Sequence, residues 1–531
     1  MKLRSRESFL QLVVILLVVF ALTSCTGSAG TSSQQTPEPE KQVGVYLYGS
    51  PPTTDFDPSV SLSDAVIVQV LCYETLLKYD PSNDTFEPIL ATSYKKSDDN
   101  LTWTFQLRKG VKFHDGTDFN AEAVKFSILR TRDLGKGPAF IWDPLQDINV
   151  VDEYTVEFKL KFPAPVELMA ASAYGAFIMS PTAVKSHPDD WLAQGNDAGT
   201  GPYKVMNFRM GEEVDLEKFD GYWRGWEGKH FDAVVIKKVS ESSTRRMLIE
   251  KGEGDVTEKL ASEDVEALKK NPNAKVVVTP YFQNLFLLLN IQRPPLDNKL
   301  VRQALSYAFP YDDVVKYAMG GYATQARGAV PNGLWGHGDN LFQYKYDLNK
   351  AKELLTQAGY PDGGFKIEMR YMTGTESVKR MAELYKAELS KLNINLEIRG
   401  MPWDTYWDMA KSSDPSQHQD IFVTFWWPDI ASPYSFLYSL FHSQESYFFN
   451  LTYWKNAEYD KLIDDGSEMS GIDKSKASEL FIKAQEILID EAVAIFTYDE
   501  QYVVVLNSSV KGFVDNPAYA RCVFFYDMYR E

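Results

Sequence analysis

The 531-residue sequence predicts a mixed α/β protein with more than one lobe, and three observations carry that expectation. The chain is longer than one hydrophobic core ordinarily serves, so two or three domains are expected. Strict apolar–polar alternation recurs in its first third, the mark of half-buried strands. Apolar faces at helical spacing, with capping residues, dominate from residue 297 onward.

At the N-terminus, Lys2, Arg4 and Arg6 precede an apolar run from Phe9 to Ala21 broken only by Gln11. As a helix that run spans about 20 Å, short of the ~30 Å hydrocarbon core of a bilayer. A basic start and a short apolar middle read as a secretory signal peptide over residues 1–24. Leu22-Thr23-Ser24-Cys25 looks like the lipobox of prokaryotic lipoproteins. That resemblance implies cleavage after Ser24 and a lipidated Cys25, hence an extracytoplasmic protein anchored to the cell membrane. Acyl chains contribute about 0.8 kcal/mol per buried methylene, so two or three hold firmly. Residues 25–40 are rich in Ser, Thr, Gly, Pro and Gln and read as a flexible tether.

In the mature chain Leu101, Trp103, Phe105 and Leu107 alternate with polar neighbours, as do Val156, Phe158, Leu160 and Phe162. Between these strands Ala123, Val124, Phe126, Ile128 and Leu129 predict a helix capped by Asn120. After Asp297, the residues Leu300, Val301, Ala304, Leu305 and Ala308 form one helical face that Pro310 ends. Asp347 opens a second helix, with Gly359 placed for a left-handed C-terminal cap. A long helix over about 378–392 between strands at 365–371 and 395–399 gives a β-α-β element. No internal repeat is visible.

The formal charge is −18, with acidic residues spread along the chain, so nucleic acid is a poor partner. Aromatic residues reach 14%, including 30 Tyr and 11 Trp, which suits a large binding cleft or a large aromatic core. The six His form no His-x-x-x-His pair, so neither a metal nor a cofactor is expected. No Gly-x-Ser-x-Gly elbow or phosphate loop is present, and Gly252-x-Gly254 lacks a third glycine. Nothing recommends an enzyme. Cys72 and Cys522 admit a disulfide or two buried thiols equally.

Several segments carry more than periodicity. Glu74-Thr75-Leu76-Leu77 is followed by Pro88-Ile89-Leu90-Ala91, then by the run from Leu107 to Gly116, Leu-Arg-Lys-Gly-Val-Lys-Phe-His-Asp-Gly. Gly199-Thr200-Gly201-Pro202-Tyr203, Tyr222-Trp223, Val301-Arg302-Gln303-Ala304-Leu305 and the run from Ala351 to Tyr360 complete the set. In wording and order these resemble the family 5 solute-binding proteins, the oligopeptide, dipeptide and nickel-binding group of ABC importers. The resemblance covers nearly all the mature chain. It implies a bilobal fold of the periplasmic-binding-protein type II class with an extra subdomain on the first lobe. Lobe I would comprise 41–78, 200–285 and 495–531, the subdomain 79–199, and lobe II 286–494. Crossovers would fall near 286–290 and 494–498. The implied partners are a peptide or other small ligand and the permease subunits of the importer, with the binding protein itself a monomer.

The same resemblance points to Phe425-Trp426-Trp427-Pro428-Asp429. Peptide binders of the family carry there a Trp and, three positions on, an Asp that grips the ligand ammonium group; Asp429 occupies that place. A buried carboxylate needs a cationic partner, and a ligand ammonium supplies one. The backbone at Phe425 and Trp427 would pair with the ligand as an added strand. The bland alternative makes Asp429 the cap of a helix starting near Pro433. Two departures stand out: Ile430 replaces the usual aromatic, and Pro428 removes a backbone donor. Position in the family template adds Thr53 and Thr54, Glu258, Asn284 and Tyr498 as cleft residues. No Arg stands clearly where the dipeptide branch holds a ligand carboxylate, although Arg370 is near in sequence. A rival ligand class is oligosaccharide, with Trp426, Trp427 and Trp403 stacking on sugar faces.

Overall fold

The computed structural model describes residues 41–50 and 55–531. The signal peptide, Cys25, the tether, Thr53 and Thr54 lie outside the described residues.

Eleven strands form the main sheet: Val43–Tyr48 (β1), Tyr203–Arg209 (β2), Glu213–Lys218 (β3), Ala233–Lys238 (β4), Val256–Glu258 (β5), Ala274–Leu289 (β6), Ala323–Gln325 (β7), Lys366–Met372 (β8), Asn395–Met401 (β9), Ile421–Trp426 (β10) and Ala494–Asn507 (β11). Their order is β9-β8-β10-β6-β11-β5-β1-β4-β3-β2, with β7 also paired to β11. A separate antiparallel sheet holds Ala91–Lys96, Thr102–Leu107, Thr155–Leu160 and Leu145–Asp152 in that spatial order. Trp103, Phe105, Val156 and Phe158 are buried on it, as the alternation requires.

The helices follow their sequence signals. Ala121–Leu134 (α1) starts where Asn120 Oδ1 accepts from the Ala123 N–H at 3.1 Å. Lys299–Tyr307 (α2) takes Asn298, one residue past Asp297, as its cap: Oδ1 accepts from the Leu300 N–H at 2.9 Å. Leu348–Gln357 (α3) is capped by Asp347, and Gly359 follows it at φ +90°, the left-handed conformation that lets the chain turn away. Glu376–Lys391 (α4) buries Val378, Met381, Tyr385 and Leu389 between the parallel strands β8 and β9, completing the β-α-β element. Cys72 and Cys522 are both buried free thiols.

Two long antiparallel strands join the halves of the main sheet. The first part of β6 pairs Ala274–Pro280 with Asn507–Gln501, alongside β5. Its second part pairs Asn284–Leu288 with Asp499–Ala494 and, on the other edge, with β10. Ladder register shifts between Pro280 and Asn284. The stretches 286–289 and 494–496, where crossovers were expected, sit inside the second half and are laddered to one another and beside β10. Leu285 to Leu289 are fully buried there.

Candidate functional site

Past β10 the chain runs through Trp427-Pro428-Asp429 into Pro433–Phe441 (α5). Ser432 caps α5: its Oγ accepts from the Tyr434 N–H at 3.3 Å. Asp429 is therefore not the cap, and its carboxylate has a different engagement. The Ser435 hydroxyl donates to Oδ2 at 3.0 Å and accepts from the Asp429 N–H at 2.9 Å. The Asp429 carbonyl accepts from the Ser172 hydroxyl at 2.6 Å. Asp429 lines a narrow pocket of about 10 Å³, room for about one water, with Ser172, Tyr174, Ile430 and Tyr519. Burial pushes its carboxyl up to about 7, with the Ser435 hydrogen bond pulling part of the way back. Among the described residues no cation lies within 4.0 Å of it.

Sheet register sorts the other expected residues. Directly paired residues on adjacent strands share a face. Phe425, Leu285 and Tyr498 are in register with one another, so they share one face. Trp426, Asn284 and Asp499 are likewise in register and take the opposite face. On that opposite face Trp426 Nε1 donates to Ser435 Oγ at 3.4 Å, and the ring meets Phe449 edge-on at 4.8 Å. Asn284 is fully buried and donates to the Ala329 carbonyl at 2.9 Å, leaving Oδ1 without a partner. Beyond Phe422 the edge of β10 away from β6 carries no strand among the described residues, since β8 pairs only with Ile421 and Phe422. That leaves an edge without a strand partner, although the Val423 carbonyl accepts from the Tyr406 hydroxyl and the Phe425 carbonyl from that of Thr424 at 3.0 Å.

The Phe425 face meets residues from the first half of the sheet. Lys259 Nζ stands 5.6 Å from the Phe425 ring centroid, and the Arg521 guanidinium 5.1 Å from that of Trp427. Trp427 Nε1 donates to the Tyr174 hydroxyl at 3.0 Å. Glu258 closes β5, fully buried, and neither carboxylate oxygen makes a well-aligned hydrogen bond. Burial raises its pKa, and Arg521, Lys259 and the Tyr502 phenol oppose that rise. Tyr281 and Tyr502 stack at 4.9 Å beside it. Tyr498 is buried, its hydroxyl without a well-aligned partner.

Arg370 is engaged elsewhere through two of its nitrogens: its Nε donates to Glu368 and its Nη1 to the Gln417 carbonyl at 2.6 Å. Trp403 stacks on Trp407 at 5.1 Å and Trp407 packs on Phe449, while Trp403 itself remains 41% exposed. His114 bridges Asp197 and the Gly201 carbonyl, a structural tie.

Comparison with known proteins decides the lineage. Residues 85–448, more than half of the chain, match the model of the bacterial extracellular solute-binding proteins, family 5. The chain belongs to that family. Similar relatives include the probable D,D-dipeptide-binding periplasmic protein DdpA of Escherichia coli (strain K12), 31% identical over 87% of this chain and 89% of the relative. The glutathione-binding protein GsiB of Shigella flexneri is 29% identical over 88% and 91%. The structure of the ABC transporter-associated periplasmic binding protein DppA from Helicobacter pylori in complex with peptide STSA matches with TM-score 0.80 and 29% identity, covering 92% of this chain and 99% of that one. Family 5 proteins are extracytoplasmic solute-binding components of ABC importers and not enzymes, and the bilobal α/β fold is theirs.

Within this family 5 chain, sequence reasoning missed four groups. Asp499 is buried with only the Asn332 N–H on Oδ2, at 3.0 Å; burial pushes it up to about 7. Lys259 and Arg521 bear no motif, yet both adopt left-handed backbone, φ +48° and +62°. Such conformations cost free energy for side-chain-bearing residues and cluster at functional sites. Tyr281 has no signal beyond its aromatic ring.

Proposed function

We propose that this protein captures short peptides with a free amino terminus between its two lobes and delivers them to an ABC permease. Asp429 carries the reading: an enclosed carboxylate with one hydroxyl donor and no cation near it. A ligand ammonium group satisfies both needs at once. The open edge of β10 beyond Phe422 supplies backbone pairing that ignores side-chain identity. The relatives named as a probable D,D-dipeptide-binding protein and a glutathione-binding protein, and the neighbour in complex with peptide STSA, support the same class. Phe425 and Trp427 stand on the ligand side, with Glu258 and Tyr498. Trp426 and Asn284 support the site from behind.

The division into lobe I (41–78, 200–285, 495–531), subdomain (79–199) and lobe II (286–494) is part of this proposal, with its borders on β6 and β11 moved to the register shift between Pro280 and Asn284, so that 284–285 and 495–499 go with lobe II. Lobe closure follows if ligand binds the closed state better than the open one. Anchoring through a lipidated Cys25 also belongs here, supported by the Leu22-Thr23-Ser24-Cys25 segment. Loss of palmitate incorporation in C25S would test the anchor.

The test of the ligand class is titration calorimetry with short peptides. Micromolar or tighter binding of free peptides is expected, and N-acetylation should abolish it. Equal binding of acetylated peptides would remove Asp429's role.

A further inference from the structure

Away from Asp429, a second pocket of about 80 Å³ lies in the seam between the proposed lobe I and its subdomain. Its walls are mainly apolar, with Val70, Leu71, Ile89, Phe177 and Phe524 among them. None of its lining residues belongs to β10 or to the proposed lobe II, and Ala173 and Tyr519 form the wall it shares with the Asp429 pocket. At about 10 to 15 Å³ per water it has room for about five to eight waters, or for a small molecule of that size.

Lys78 gives this pocket its chemistry. It comes from the strand Leu77–Asp80, and its Nζ stands 3.6 Å from the centroid of the Phe524 ring. That cation–π contact holds the ammonium against the pocket wall. Among the described residues Nζ has no hydrogen-bond acceptor and no carboxylate within 4.0 Å. Glu87, its partner in the strand ladder, is exposed and makes no ion pair with it. Burial lowers the Lys78 pKa, with Glu87 and Asp527 opposing the fall. An ammonium offers three donors, so a part-buried one without an acceptor favours an incoming anion.

The acids of the pocket are already engaged. Glu74 accepts from the Thr200 hydroxyl at 2.8 Å and the Tyr222 hydroxyl at 2.9 Å, and both its oxygens accept from Trp223 Nε1 at 3.0 Å. Asp527 pairs with Arg224 at 3.3 Å, and that guanidinium lies over the Tyr526 ring at 4.6 Å. A metal cation would therefore meet Lys78 and no free carboxylate. Inorganic phosphate would satisfy Lys78 and leave the apolar walls bare, and a neutral hydrocarbon would do the reverse. We propose that this pocket is a second ligand site for a small monocarboxylate with a branched aliphatic tail, its carboxylate on Lys78 and its tail against Val70, Ile89 and Phe177. Neither the ammonium anchor nor the peptide cleft is needed for it.

The test is saturation-transfer NMR with titration on the full mature protein at pH 7.5. The probes are isovalerate, its neutral isostere isovaleramide, and inorganic phosphate. Isovalerate should bind with a dissociation constant of about 1 mM or below, about tenfold tighter than the amide, the size of one charge-assisted contact. K78M should remove that preference and K78R should keep it, both with the wild-type circular dichroism spectrum. Saturating peptide should leave isovalerate bound. Displacement by peptide would place it in the cleft and overturn a separate site. Equal binding of acid and amide, or an acid preference that survives in K78M, overturns the role of Lys78. Tighter binding of phosphate than of isovalerate overturns the aliphatic tail, and binding of none of the three overturns the site. The acid–amide and competition measurements need no variant, so a poorly folding K78M does not spare the proposal.

Discussion

Ser172 and Asp429, 257 residues apart in the chain, are joined by a 2.6 Å hydrogen bond from hydroxyl to main-chain carbonyl. The same hydroxyl accepts from the Tyr174 N–H at 3.0 Å, so it is itself fixed. This bond holds the main chain at Asp429, the proposed anchor. A neutral hydrogen bond is worth about 1 kcal/mol, about fivefold in affinity. S172A should therefore weaken peptide binding by about that factor in calorimetry. Unchanged affinity would show that the Asp429 loop is held without Ser172.

Asp429 makes binding and stability depend on pH in opposite senses. A ligand ammonium requires the ionised carboxylate, so affinity should fall on acidification below about pH 7. Between pH 4 and 7 the ligand-free folded protein retains a proton here that the unfolded chain has lost. Stability from this group is thus intact below the unfolded pKa and lost as pH rises through about 7. D429N should abolish binding of free peptides, yet raise the melting temperature of ligand-free protein at pH 8 by a few degrees and leave it unchanged at pH 4. No gain at pH 8 would mean the carboxyl is well solvated.

Much of this was legible in the sequence because local rules decided it. Asn120 and Asp347 start their helices, and Gly359 follows the end of one, where short-range hydrogen bonding and left-handed backbone demand. Asp429 was marked by its family pattern. Lys259 and Arg521 were not, since only tertiary structure brings positions 262 residues apart against Phe425 and Trp427. The faces of Trp426 and Asn284 were hidden for a different reason. Only register decides which way a residue points, and a slip of one residue reverses it.

Cys72 and Cys522 sit in fully enclosed surroundings, and burial raises both thiol pKa values. Neither should react with iodoacetamide in the folded protein at pH 8, and both should react once it is denatured. Mass spectrometry of the mature chain reads this directly. Labelling of either in the native state would place it at an opening.

Closure of the lobes can be tested away from the ligand. Gly471 abuts the backbone of Pro163 and Ala164; a Cβ built on it would stand 2.7 Å from Pro163 C and 2.8 Å from Ala164 C. Backbone cannot yield as a flexible side chain does. Nearby, Lys96 Nζ donates to the Gly471 carbonyl at 2.6 Å and Lys474 pairs with Asp84 at 2.5 Å. These contacts join the proposed subdomain to lobe II. The glycine's own conformation is right-handed helical, φ −77°, so alanine is tolerated locally and the effect is confined to the interface. G471A should disfavour the closed state and weaken every peptide by a similar factor, about tenfold, without changing the order of preference among peptides. Small-angle scattering at one subsaturating peptide concentration should show a less compact particle for G471A than for wild type. A changed order of preference, or wild-type affinity, would show that this contact takes no part in closure.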